Sequence, residues 1–174
     1  IFLCVILHEF GHALAARRYG IKTRDIILLP IGGVARLEKM PTNPLHELWI
    51  SVAGPAVNVA IAAVLFVWLK LSASFDPLAV MTTTAGPFFE RILVVNLFMI
   101  AFNMIPAFPM DGGRMLRAFL VLFLPYGRAT WVAVLVGQLI AIVLLLLAYP
   151  LKSFLLLFVG GLVLATGWFM RFGR

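Results

Sequence analysis

Residues 1–19, IFLCVILHEFGHALAARRY, form an apolar run interrupted in its middle by His8, Glu9 and His12. Read as a helix, the run puts His8 and His12 on one face, about 6 Å apart along the axis, because residues four apart stack one turn above the other. Two imidazoles so placed can bind one divalent ion, and the Glu9 carboxylate beside them can work on its water. The pattern is HExxH, set inside what reads as a membrane helix. Each ionisable side chain at mid-membrane costs about 2.5–3.5 kcal/mol, so three of them in one apolar run call for a task. A polar helix face without a metal is the alternative.

The composition agrees with a membrane setting. Of 174 residues, 63% are apolar, against about 45–50% in soluble domains. The expected fold is all-α: a polytopic transmembrane helical bundle carrying a small membrane-associated β-hairpin or sheet. The net charge of +7 comes from 14 Lys and Arg against seven Asp and Glu. In such a chain basic residues mark cytoplasmic loops, so no nucleic-acid partner is read from them; the bilayer is the partner expected. A single cysteine, Cys4, excludes an intramolecular disulfide. It precedes His8 by four residues, yet lies about 12 Å from His12 along the axis, whereas metal bonds are about 2.0–2.3 Å. Cys4 is therefore read as a small buried apolar residue. No initiator Met or basic segment precedes the first helix, so it is not read as a signal peptide; residues 1–174 are expected to be one domain, a fragment lacking an earlier span.

Further along, Ile26–Leu29 and Val34–Glu38 are strand-like runs separated by Pro30 and Gly32-Gly33, which suits a hairpin with an open edge. Trp49–Leu71 is long enough to span, with Gly54, Pro55 and Asn58 interrupting its apolar run. Gly54 and Ala62 suit close helix contacts. Asn58 reads equally as interhelical glue or as catalytic support. Residues 72–90 read as a loop and Ile92–Ile105 as the next span. The segment NMIPAFPMDGGR, residues 103–114, then breaks regular helix with two prolines and a glycine pair, and Asp111 is placed in that break. Such irregular backbone is tolerated at membrane depth where it is buried in protein or lines a watery cavity. Met115–Leu124 is too short to span and reads as interfacial. Thr130–Tyr149 and Ser153–Met170 are two further spans, hinged at Pro150.

With Trp49–Leu71, the span ending near Ile105 and the last two as crossings, eleven basic residues share one side: Arg17, Arg18, Lys22, Arg24, Arg36, Lys39, Arg114, Arg117, Arg128, Arg171 and Arg174. Lys70, Arg91 and Lys152 take the other. That asymmetry predicts a multi-pass cell-membrane protein with the hairpin, Asp111 and the C-terminus at the cytoplasmic face.

A catalytic zinc usually takes three protein ligands and keeps a fourth position open. His8 and His12 supply two. Among the remaining acids Asp111 is the best third, because the topology brings it to the side where the HExxH helix ends; Asp111 as a helix cap is the other reading. HEFGH at 8–12, AGPAVN at 53–58 and NMIPAFPMDGG at 103–113 together resemble the site-2 protease family, and the resemblance covers nearly the whole chain. It implies an intramembrane metalloendopeptidase that cuts transmembrane protein substrates. His8, His12 and Asp111 would be ligands to one zinc ion, Glu9 the general base, and Asn58 and Asn103 would help hold substrate or the oxyanion. The segment LPIGGVARLE at 29–38 resembles the bacterial and archaeal branch, which often carries C-terminal CBS domains. Met110 stands where that family usually has Leu, and no regulatory domain is read in this chain. Two rivals are a transporter or channel using His8, Glu9, His12 and Asp111 as an ion path, and an inactive scaffold. HE followed by xxH is no special need of an ion path, and the intact ligands and base speak against a scaffold.

Overall fold

The computed structural model describes residues 2–29, 32–37, 41, 43–71 and 88–172. In chain order the elements are α1 (Phe2–Arg18), β1 (Thr23–Leu29), β2 (Gly32–Leu37), α2 (Pro44–Leu71), α3 (Phe88–Asn103), α4 (Asp111–Val121), α5 (Tyr126–Ala148) and α6 (Phe154–Phe172). Among the described residues α2 and α5 are long and apolar enough to cross a membrane, and α6 contains a shorter apolar helix, Phe154–Met170. Most of the loop read over 72–90 lies outside the described residues; its last three residues open α3. The chain divides into two units, Ile1–Met40 with Val52–Phe102, and Pro41–Ser51 with Asn103–Arg174.

In the first unit α1 and the part of α2 from Val52 meet at glycines. A Cβ on Gly11 would lie 2.7 Å from the Ala53 carbonyl oxygen and 2.8 Å from Val57 Cγ2, so only glycine permits this approach. Away from that contact, Ala62, Leu69 and Leu93 form a buried cluster with Leu65 and Ile100 against it, and Trp68 meets Phe89 edge to face, centroids 4.6 Å apart. The Asn96 amide on α3 donates to Cys4 Sγ at 3.3 Å and to the Ile92 carbonyl at 2.8 Å. Cys4 is thus buried as expected, but with a polar neighbour.

Strands β1 and β2 pair antiparallel, Ile26 opposite Ala35 and Leu29 opposite Gly32, with an irregularity between Thr23 and Asp25. Both strands run beside α1. Gly32 and Gly33 stand inside β2 rather than in the connection, because the ladder continues to the Leu29–Gly32 pair. Residues 30, 31 and 38 lie outside the described residues.

In the second unit α5 and α6 pack as an antiparallel pair. Gly160 fits against Leu145 and the Ala141 carbonyl, and Gly167 against Gln138. The buried positions of α5 are small, Ala129, Ala133, Gly137, Ala141 and Ala148 among them, while Trp131, Leu139, Ile142, Val143 and Leu146 are exposed. Small residues inward and large apolar ones outward is the order expected where lipid, not water, surrounds the helices. Helix starts are capped where the sequence supplies a cap: the Leu45 amide donates to Asn43 Oδ1 at 2.9 Å ahead of α2, and the Leu156 amide to Ser153 Oγ at 3.4 Å ahead of α6. Lys152, in the α5–α6 turn, has φ 48°.

The segment read as irregular is shorter than its motif. Residues 104–110 form successive tight turns, held by hydrogen bonds from the Ala107 amide to the Ile105 carbonyl (2.7 Å) and from the Met110 amide to the Ala107 carbonyl (3.0 Å). Helix α4 then begins at Asp111, not Met115, so Asp111, Gly112 and Gly113 belong to its first turn. The glycine pair serves contact rather than breakage. A Cβ on Gly112 would overlap the Ile105 carbonyl, and one on Gly113 would lie 2.7 Å from the Phe108 nitrogen. The turns therefore fold back onto the start of their own helix. Beneath them Phe108, Ala133 and Val134 form a core, with Leu116 and Leu120 packed on it.

Candidate active site

Four of the sequence-derived candidates, His8, Glu9, His12 and Asn58, lie in the first unit; Asn103 and Asp111 lie in the second, flanking the turns of residues 104–110. On α1 the Nε2 atoms of His8 and His12 are 3.2 Å apart, with the rings edge to face at 4.8 Å between centroids. Two nitrogens bonded at about 2.0–2.1 Å to one tetrahedral ion sit roughly 3.3 Å apart. The imidazoles thus already hold the separation that a shared metal requires. Glu9 is buried beside them, 7% exposed.

His12 is seated by α2. A methyl group on Gly54 would collide with Nε2, Cε1 and Cδ2 of the His12 ring. Gly54, read from sequence only as a small helix-contact residue, therefore forms the floor against which a candidate ligand rests. One turn further on the same face, Asn58 is fully buried, and neither its amide nitrogen nor its carbonyl oxygen has a hydrogen-bond partner among the described residues. An unsatisfied buried amide costs about 1–3 kcal/mol.

Asp111 is the first residue of α4 and is buried, 8% exposed. It is not the helix cap: that position is Met110, with no side-chain capping bond. Its approach is fixed from behind, since Thr166 Oγ1 donates to the Phe108 carbonyl at 3.0 Å and Gly137 packs against Ala107. Asn103, the last residue of α3, is half-buried. His8, His12 and Asp111 are all buried.

Two features escaped the sequence reading. Asn96 is fully buried, its Oδ1 without a partner among the described residues. Glu47 and Arg117 form a buried ion pair in the second unit. Neither carries a local motif. Their partners lie 92 and 70 residues away, so nothing in the neighbouring sequence announces them.

A profile of peptidase family M50 matches residues 1–83. The structure of a site-2 protease from Methanocaldococcus jannaschii superposes with a TM-score of 0.72 at 40% identity, covering 93% of this chain and 71% of that one. The chain belongs to the site-2 protease family. A zinc metalloprotease of Methanocaldococcus jannaschii is 40% identical over 159 residues, 91% of this chain and 44% of the relative. Stage IV sporulation protein FB of Bacillus subtilis is 30% identical over 130 residues, 74% of this chain and 42% of the relative. The chain thus spans less than half the length of these curated relatives of the site-2 protease family.

Proposed function

We propose that this chain is the catalytic core of an intramembrane zinc metalloprotease that hydrolyses peptide bonds of transmembrane protein substrates. The observation that carries the reading is the His8–His12 pair, its Nε2 atoms 3.2 Å apart, with Glu9, buried, next to His8 in the chain. His8, His12 and Asp111 would hold one zinc ion. Support for Asp111 comes from the other buried acids among the described residues, Glu9, Glu47 and Glu90. Glu9 is in the base position of HExxH, and Glu47 is tied to Arg117. Glu90 adjoins Phe89, which meets Trp68, whereas His12 meets Gly54; those points on α2 are about 21 Å apart.

When bound, zinc supplies a Lewis acid and an acidified water, with a pKa near about 7. Glu9 takes the proton of the attacking water and delivers it to the leaving amine. Asn58 and Asn103 offer amide groups to the substrate backbone or its developing oxyanion. A helical substrate must unwind before cleavage, because its carbonyls are hydrogen-bonded within the helix. The outer edge of the hairpin can receive the extended segment as an added strand. The eleven-to-three division of basic residues supports a multi-pass cell-membrane protein with this site toward the cytoplasm.

Purified protein assayed for metal and for cleavage of a model transmembrane substrate tests the reading. Wild type should carry one zinc per chain and cut. Glu9→Gln should keep the zinc and lose turnover, because an amide cannot accept the proton. Asp111→Ala should lose the metal. Near-normal cleavage by Glu9→Gln would sink the assignment of the base, and full zinc in Asp111→Ala would remove that residue from the ligand set.

A further inference from the structure

We propose that Arg117 is the positioning residue that aims Asp111, acting through the short helix they share; the inference rests on the ligand role given to Asp111 above. Asp111 opens α4, where the backbone of Ile105 and Phe108 packs directly against Gly112 and Gly113. Its first turn continues with Gly112 and Gly113, the poorest helix formers after proline, and the cap position makes no side-chain bond. The direction in which the carboxylate leaves the helix therefore follows the contacts that hold the turns of residues 104–110 and the body of α4 to one another.

Arg117 gathers those contacts. Its side chain is 5% exposed. Nε donates to Glu47 Oε1 at 3.0 Å, and Nη2 donates to the same oxygen. The guanidinium lies over two rings at once, 5.3 Å from the centroid of Phe108 and 5.3 Å from that of Tyr126. Phe108 precedes Asp111 by three residues and Arg117 follows it by six, so one side chain grips the turn that delivers Asp111 and the helix that Asp111 begins. Glu47 ties the same group to the first turn of α2, and Tyr126 to the first turn of α5. Burying such a pair carries a large desolvation cost, and its net effect on stability is often nil. What the arrangement supplies is direction. A planar, forked cation can bond a carboxylate in a fixed direction while lying over aromatic faces, whereas an ammonium is a point charge without that fork.

The substitution that separates aiming from folding is Arg117→Lys, which keeps the charge and the pair with Glu47 while giving up the stacked fork. The test uses the full chain in detergent, loaded with Co2+ in place of zinc, so that visible absorption reports ligand geometry. Circular dichroism should match wild type. The cobalt bands should shift or weaken, and metal release to a chelator should quicken by about 10- to 100-fold, the usual range for residues that orient a ligand. Glu47→Gln, which leaves the guanidinium between its rings but loosens its hold, should move the same two readouts at the low end of that range. Wild-type bands and release in either folded variant would overturn the proposal while leaving Asp111 a ligand. Full metal retention in a parallel Asp111→Ala sample would overturn the ligand assignment, and this inference with it.

Discussion

At the scale of single residues, the site combines side chains that sequence names readily with supports it does not. His8 and His12, the proposed ligands, and Glu9, the proposed base, are legible because two ligands on one helix stand four residues apart, and that spacing is local. Gly54 is not legible in the same way: many glycines in membrane helices serve only close packing, and the His12 ring above it becomes visible only once α1 and α2 are brought together. Its role yields a prediction. Gly54→Ala should favour the helix by about 1 kcal/mol through propensity, but its methyl group collides with the imidazole. A side-chain ring can rotate away more readily than backbone can shift, so the energy should appear in the metal site and not in the fold. The expected outcome is a melting temperature close to wild type with zinc content well below one per chain, measured on the same preparation. Full zinc occupancy would show that His12 tolerates the methyl group in place.

At the scale of elements, periodicity and turn chemistry located the long helices to within a few residues and misjudged the short one. Gly-Gly reads as a breaker because glycine favours irregular backbone. In α4 the same pair is helical because the backbone of Ile105 and Phe108 occupies the space where side chains would stand. That is a tertiary cause, invisible to a window of neighbouring residues, and it moved Asp111 from a loop into a first turn. The hairpin carries its own prediction. Of the neighbouring residues Val34 and Ala35, one amide faces the β1 ladder and the other away from it, since strand amides alternate in direction. Proline at the outward position removes one donor, about 1 kcal/mol, and should raise the apparent KM roughly fivefold with zinc retained. Proline at the inward position should instead disrupt the strand pair. An unchanged KM in both folded variants would mean that substrate does not dock on this edge.

At the scale of the whole molecule, the proposed orientation in the membrane rests on charge and not on packing. A cysteine placed at Arg128, with Cys4 replaced by alanine, should be labelled by an impermeant reagent only after the cytoplasmic face is opened. Labelling from outside intact cells would reverse the topology. The Glu47–Arg117 pair shows where reading a chain by itself stops: two ordinary interfacial charges became partners only because α2 and α4 meet, and no local rule forecasts that. The α5–α6 turn has a further bearing on how the protein enters the bilayer. Lys152 adopts a left-handed conformation, φ 48°, which disfavours most side chains by about 1–2 kcal/mol but is tolerated by asparagine. It is also one of only three cations assigned to the outer side. Lys152→Asn should therefore relax the turn and sharpen the insertion signal together, giving a thermal gain of a few degrees, on the order of 0.5–1 kcal/mol, and fewer inverted chains. In the proposed orientation, the lysine that strains the α5–α6 turn also opposes the charge asymmetry, so the yield of inserted protein should rise by a change at a position remote from the proposed chemistry.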